Sequence, residues 1–243
     1  MIARLAGAIA LLLCAATVAH AQAPSCRFPD DLALTDQHLP AVHAALADHQ
    51  PLTILAIGGA ATAGVAAKGE AFTFPSRLAA HLRRLLPGQG VTVINRGVPG
   101  RSSRLRVEAL APELARLKPT LVIWAPGASE AGQSDDLAPF EDSLNEGIAL
   151  IRAQHADLIL IDLQYAPSIA RIIDLNRYNG VIAGVAEAEG VPLLRRSDLM
   201  RYWNDNGVID LEGGGAKDWT AISRRLFDCL AAGLADTVAT AAP

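Results

Sequence analysis

Apolar residues along this chain of 243 residues follow two alternating patterns. Short continuous apolar runs recur at 52–57, 91–94, 121–124, 158–163 and 191–194. Runs of that length, rich in aliphatic residues and ending in glycine or polar residues, predict strands buried on both faces. Between them, apolar residues return every three or four positions, as at Leu78, Leu82, Leu85 and Leu86 in 75–86, or at Leu144, Ile148 and Ile151 in 140–154. That spacing predicts amphipathic helices, with two more over 104–117 and 175–189. A helix over 40–49 precedes the first strand, and 219–238 closes the chain with Ile222, Leu226, Leu230 and Leu234 on its buried face. Strand and helix alternate without an internal repeat or interior linker. The pattern therefore predicts an α/β fold, a doubly wound three-layer sandwich around a five-stranded parallel sheet.

In such a sheet, ligands bind beyond the carboxyl ends of the strands, where the winding direction reverses. Three loops are placed to build that site, 58–64, 97–103 and 126–134. The segment 210–218, just before the last helix, is the fourth.

The first 21 residues read as a secretory leader: Arg4, an apolar run over 5–16, then Ala19-His20-Ala21 as a small-residue cleavage signal. The run is too short to span a bilayer. Cys14 follows the bulky Leu13, which argues against a lipidated N-terminus. The expected organisation is a leader at 1–21, an extension at 22–51, the α/β domain at 52–238 and a frayed tail at 239–243. Cleavage leaves 20 basic against 25 acidic side chains, a net −5. This mild acidity argues against nucleic acid and anionic membrane as partners. The expected location is periplasmic or extracellular, with no stable membrane insertion after cleavage. Two cysteines, Cys26 and Cys229, remain. In an exported chain they suggest a disulfide pinning the extension to the last helix, the alternative being two free thiols. Neither lies in a metal-binding or redox spacing, and no cofactor or metal is expected.

The chemistry-bearing turns are specific. After the first strand comes Gly58-Gly59-Ala60-Ala61-Thr62-Ala63-Gly64; after the second, Asn95-Arg96-Gly97-Val98-Pro99-Gly100; after the third, Gly127-Ala128-Ser129; before the last helix, Glu212-Gly213-Gly214-Gly215. Over roughly 52–235 these blocks resemble those of the SGNH (GDSL-type) hydrolases, exported bacterial members in particular. The resemblance implies a flavodoxin-like winding and an ester-hydrolase site. In that family a serine attacks the ester carbonyl, a histidine shuttles its proton, and an aspartate orients the histidine. The serine amide, a glycine amide and an asparagine side chain hold the oxyanion. Here Ala60 stands at the nucleophile, Gly215 at the histidine, Glu212 at the aspartate, Ser129 at the asparagine and Gly100 at the glycine. No histidine follows His155. The resemblance thus implies an esterase body without its catalytic groups.

Other residues carry weaker signals. Ser102 and Ser103 lie beside the expected pocket, and with Lys217 a serine–lysine dyad is chemically conceivable. Thr62 reads as a helix N-cap. His81, among Arg83 and Arg84, reads as solvated. His38, His43 and His49 lie near one another, but His43 and His49, six apart, do not share a helical face, so no metal site is expected there. His155 suits a helix C-terminus. Arg101, Arg104 and Arg106 form either a carboxylate- or phosphate-binding group or a solvated helix face. Gln164 and Tyr165 are placed at the pocket rim, with plain loop structure as the alternative. Trp203 and Trp219 either cover the pocket or pack the last helix.

The ligand-contact candidates are Gly59, Ala60, Gly100, Arg101, Ser102, Ser129, Gln164 and Tyr165. Two readings of function remain. One is an inactive relative of the hydrolases that holds a small-molecule, glycan, acyl or partner ligand in the old cleft; a scaffold for an active paralogue is its variant. The other is a working carboxyl- or acetylesterase that uses substitute residues.

Overall fold

The computed structural model describes residues 26–35, 37–212 and 218–243. The predicted leader, Gly215 and Lys217 lie outside the described residues. Five strands form one parallel sheet in the order β2-β1-β3-β4-β5: β1 Leu52–Gly58, β2 Val91–Gly97, β3 Leu121–Ala125, β4 Asp157–Ile161 and β5 Leu193–Leu194. The chain moves outward from β1 to β2, then crosses back to β3 on the other side, so the winding reverses between β1 and β3. The predicted class is borne out.

The period-two pleat divides each strand between two cores. Leu52, Ile54 and Ala56 of β1, with Leu121 and Ile123 of β3, face one core. Leu55, Ile57, Val122 and Trp124 face the other. The first core is closed by α1 Pro40–Ala47, α3 Phe74–Leu85, α10 Arg196–Asp205 and α11 Asp218–Ala239. The second is closed by α4 Ser103–Glu108, α5 Leu110–Leu117, α7 Leu137–Arg152 and α9 Leu175–Glu189. Three short helices, α2 Ala60–Ala63, α6 Ala128–Gln133 and α8 Pro167–Ala170, occupy the loops at the carboxyl ends of β1, β3 and β4.

Several sequence expectations are corrected. The single helix over 104–117 is two, α4 and α5, meeting at Ala109. Pro112 explains the break: it has no N–H for the carbonyl of Glu108 and its ring crowds that carbonyl. Thr62 is no N-cap. Gly59 caps α2, and Thr62 is buried inside it, its hydroxyl oxygen without a hydrogen-bond partner among the described residues. His81 is buried, not solvated, because α11 covers that side of α3. Its Nε2 lies 2.7 Å from Asp228 Oδ1, which also accepts from Arg77 Nε at 2.7 Å. Burial would raise the Asp228 pKa, but the hydrogen bonds from Arg77 and His81 bring it below the usual carboxylate range.

Residues 239–243, expected to fray, are tied to the extension. Ala242 accepts from Leu39 N at 3.0 Å, donates to Gln37 O at 2.9 Å, and forms a parallel bridge with His38. A disulfide joins Cys26 to Cys229 on α11, so the extension is pinned where the sequence suggested. Phe28 then lies against Gly233 and Trp203. Trp203 is fully buried and takes the packing role. Among the described residues, no helix is long and apolar enough to cross a membrane.

Candidate functional site

The winding reversal leaves a pocket of about 330 Å³ beyond the carboxyl ends of β1 and β3. Three loops meet there. From β1, Gly58 turns the chain into α2 through Gly59 and Ala60. From β2 come Gly100, Arg101 and Ser102. From β3 come Pro126, Gly127 and Ser129. Six of the predicted contacts, Gly59, Ala60, Gly100, Arg101, Ser102 and Ser129, therefore share one pocket.

The turn at Gly58 depends on having no side chain. Its φ is +158°, and a β-carbon there would stand 2.3 Å from Thr62 Oγ1 and 2.9 Å from Ala125 O. This close packing sets Ala60, exposed, at the head of α2, where a side chain on that residue faces the pocket. The side chain is a methyl group, with no lone pair and no proton to give.

The surrounding hydroxyls already have local work. Ser129 Oγ donates to Gly100 O at 3.2 Å and accepts from Gln133 Nε2 at 2.8 Å. Ser102 Oγ accepts from Leu105 N at 3.4 Å as the N-cap of α4. Ser103 is buried, and its amide donates to the buried carboxylate of Glu130. Glu130 and Gln133 had no motif signal in the sequence, since both act through α6, which the pattern placed in a loop.

Gln164 and Tyr165 do not join this pocket. They line a neighbouring one of about 390 Å³, with Trp219, Ile222 and Leu226, which meets the first at Ala60. Trp219 is thus a pocket wall as well as a residue of α11. The Tyr165 ring is itself covered by Arg201, whose guanidinium carbon sits 4.6 Å from the ring centroid. Glu212 is exposed, pairs with Arg171, and is not among the residues lining either pocket.

None of the described histidines lines either pocket. His38 and His155 sit around a separate hollow of about 620 Å³ at the amino end of β4. That edge of the sheet is a strand's length away, roughly 15–20 Å at the usual rise per residue. His155 adopts φ +55° just past α7. His43 Nδ1 lies 3.1 Å from Ala241 O and so helps hold the tail.

The three candidate arginines separate. Arg104 is exposed and pairs with Glu108 at 3.1 Å, the solvated-face reading. Arg106 is only 5% exposed and donates from a terminal nitrogen to Arg96 O at 2.7 Å. Burial lowers the Arg106 pKa, with Arg101 and Arg96 pushing the same way and Glu113 opposing. Arg101 is exposed at the pocket mouth.

Comparison with known proteins gives this geometry a context. The model of the non-GDSL lipase-like family matches residues 25–243. No curated protein matches. Among solved structures, the chain is similar to TesA, with a TM-score of 0.59 and 21% identity over 75% of this chain and 97% of that one. It is similar to AlinE4, an SGNH-hydrolase family esterase, with a TM-score of 0.55 and 19% identity over 68% of this chain and 86% of that one. A third similar structure is a catalytic mutant of Axe2, an acetylxylan esterase from Geobacillus stearothermophilus. It has a TM-score of 0.55 and 17% identity over 72% of this chain and 92% of that one. At these identities the likeness carries the fold.

Proposed function

The chain belongs to the non-GDSL lipase-like family, and we propose that it is an exported binding protein on the SGNH fold, without ester-hydrolase chemistry of its own. Its ligand, a glycan, an acyl group or a partner's side chain, occupies the pocket at the winding reversal. The observation that carries this reading is Ala60. The pocket around it is kept, with its glycine turns and wall residues, while the position that would attack an ester holds a methyl group.

Ester hydrolysis by this route needs a nucleophile, a base to take its proton and a donor for the oxyanion. Ala60 removes the first. The base is missing too, since no histidine follows His155 and the described ones stand elsewhere. Ser129, engaged with Gly100 and Gln133, is a poor substitute oxyanion donor. What would remain is the contribution of binding and backbone amides, about 10³ to 10⁴ over water in hydrolases stripped of their triads. Export is supported by the leader pattern and by the Cys26–Cys229 disulfide, which suits an oxidising compartment. A glycan ligand is supported by the similarity to an acetylxylan esterase.

The test is hydrolysis of p-nitrophenyl acetate by the purified mature protein beside a Ser102→Ala variant. Both are expected at the buffer background. A clear rate that survives in the variant overturns the proposal. A clear rate lost in the variant also overturns it, and identifies Ser102 as a relocated nucleophile.

A further inference from the structure

The wall formed by Arg101 and Arg106 has a second side. Behind it, the end of β2 and the helices α4 and α5 border another, open hollow of about 390 Å³, lined by Arg96, Arg101, Arg106 and Arg116, with Glu113 the one carboxylate among the described lining residues. Glu113 accepts from Arg96 Nε at 2.7 Å, and its other oxygen lies 3.9 Å from Arg106. One carboxylate thus faces two guanidiniums. Arg101 and Arg116 make no ion pair among the described residues, and both are exposed. Four positive side chains and one negative leave an excess of three charges here, in a chain whose net charge is −4.

This local excess of positive charge favours the approach of an anion. Arg106 is almost entirely out of water, and its neighbours Arg101 and Arg96 disfavour its charge. Arg106 already spends one terminal nitrogen on Arg96 O, so the paired N–H donors that match the oxygens of a carboxylate or phosphate come chiefly from the exposed Arg101, with the buried charge of Arg106 beside it. On the other side of the wall, Trp124, Ala125 and Pro126 give the first pocket an uncharged floor for the rest of a ligand.

We infer that the ligand of this pocket carries an oxyanion group, a carboxylate or a phosphate, held between Arg101 and Arg106, with its neutral body against Trp124 and Pro126. The inference rests on the binding role proposed above and adds the chemical class of what is bound. An acidic sugar and a phosphorylated small molecule would present the same contact.

Backbone amide shifts of the mature protein provide the test, in titrations with inorganic phosphate, with glucuronate and with uncharged glucose at constant ionic strength. Saturable shifts at Gly100, Arg101 and Arg106 are expected with phosphate, glucuronate or both, and not with glucose. Arg101→Gln, an exposed substitution that leaves the core untouched, is expected to weaken the binding at least about tenfold, the scale of a charge-assisted hydrogen bond. Arg116→Gln, on the outer hollow, is expected to weaken it less. Saturation by phosphate alone or by glucuronate alone supports the inference and says which group is read. Shifts that fail to saturate, glucose binding as tightly as the anions, or an unchanged affinity in Arg101→Gln overturn it. The p-nitrophenyl acetate assay separates the two levels. A hydrolytic rate with intact anion binding sinks the non-catalytic role alone. Background rate without anion binding sinks the oxyanion assignment alone.

Discussion

At Gly97 the end of β2 runs so close to α2 that a β-carbon would stand 2.2 Å from Ala63 N and 2.7 Å from the Thr62 carbonyl carbon. Both neighbours are backbone, so neither can rotate away. Nearby, Asn95 binds the same junction, donating to Thr62 O at 2.9 Å and accepting from Gly97 N at 2.9 Å. Gly97→Ala is expected to lower stability by about 1–3 kcal/mol, the usual cost of overpacking. A lower urea midpoint at unchanged slope would report it, and an unchanged midpoint would mean that α2 yields freely. Residue by residue, the site was legible where spacing after a strand fixed the position, as for Ala60, Gly100 and Ser129. It was illegible where a side chain's role depends on a distant element. His81 looks solvated beside Arg83 and Arg84 until Asp228, 147 positions later, supplies its partner. Arg106 looks like part of a helix surface until the carbonyl of Arg96 and the carboxylate of Glu113 surround it.

Each end of β4 carries an aspartate that caps a helix from outside. Asp157, where the strand begins, accepts from Val42 N at 2.8 Å and so anchors the first turn of α1. Burial raises its pKa, while the Val42 and Ala41 amides oppose the rise. Asp162, just past the strand, accepts from Ser197 N at 2.8 Å in the first turn of α10. The Arg196 guanidinium donates to the Asp162 backbone carbonyl. Burial pushes the Asp162 carboxyl up to about 7, against the pull of the Ser197 amide and Arg196. Burial also brings Arg196 down to about 10, with Asp162 opposing, so it stays cationic at neutral pH. An unfolded aspartate titrates near about 3.9, so between those values the folded chain keeps a proton the unfolded one has released. This contribution to stability is full below about pH 4 and is lost as pH rises through about 7, a fall of about 4 kcal/mol. Asp162→Asn keeps an acceptor for Ser197 and removes the titration. Its unfolding free energy is expected to be flatter from pH 4.5 to 8 and higher than wild type at pH 8; parallel slopes would refute the assignment. These helices also mark how far elements could be read. All five strands and the long helices follow from periodicity. The helix α10 does not, because its first turn is polar and its cap comes from Asp162, 34 positions before Arg196. Helices α2, α6 and α8 are too short to show a period at all.

At the scale of the whole molecule, alternation and handedness predicted a doubly wound parallel sheet, the family resemblance implied its flavodoxin-like winding, and the place of the pocket followed from a doubly wound sheet. The sequence suggested the disulfide between its two ends, but not the packing of Phe28 or the pairing with Ala242 that closes them on one another. The extension lies over α11, held by the disulfide, by Phe28 against Gly233, and by the pairing of 37–39 with Ala242. Cys26 and Cys229 are 203 positions apart, a loop whose closure constrains the unfolded chain by about 5 kcal/mol. Cys26→Ser is expected to lower stability by up to that amount, read as a fall in urea midpoint that reductant produces in the wild type and not in the variant. An equal midpoint for the two oxidised proteins would place the stabilisation in the packing of Phe28 and Trp203. The same bond decides how the chain bears a mechanical load. Tension applied outside the ring passes straight from one sulfur to the other, so the sheet between them carries no force. Among the described residues, those beyond Cys229, the last turns of α11 and the tail at 240–243, can pay out. Once the bond is cut, the 203 residue steps between the two cysteines become extensible, about 700 Å of thread at roughly 3.4 Å each. A pull through a narrow channel would then unwind in one state what it could not reach in the other.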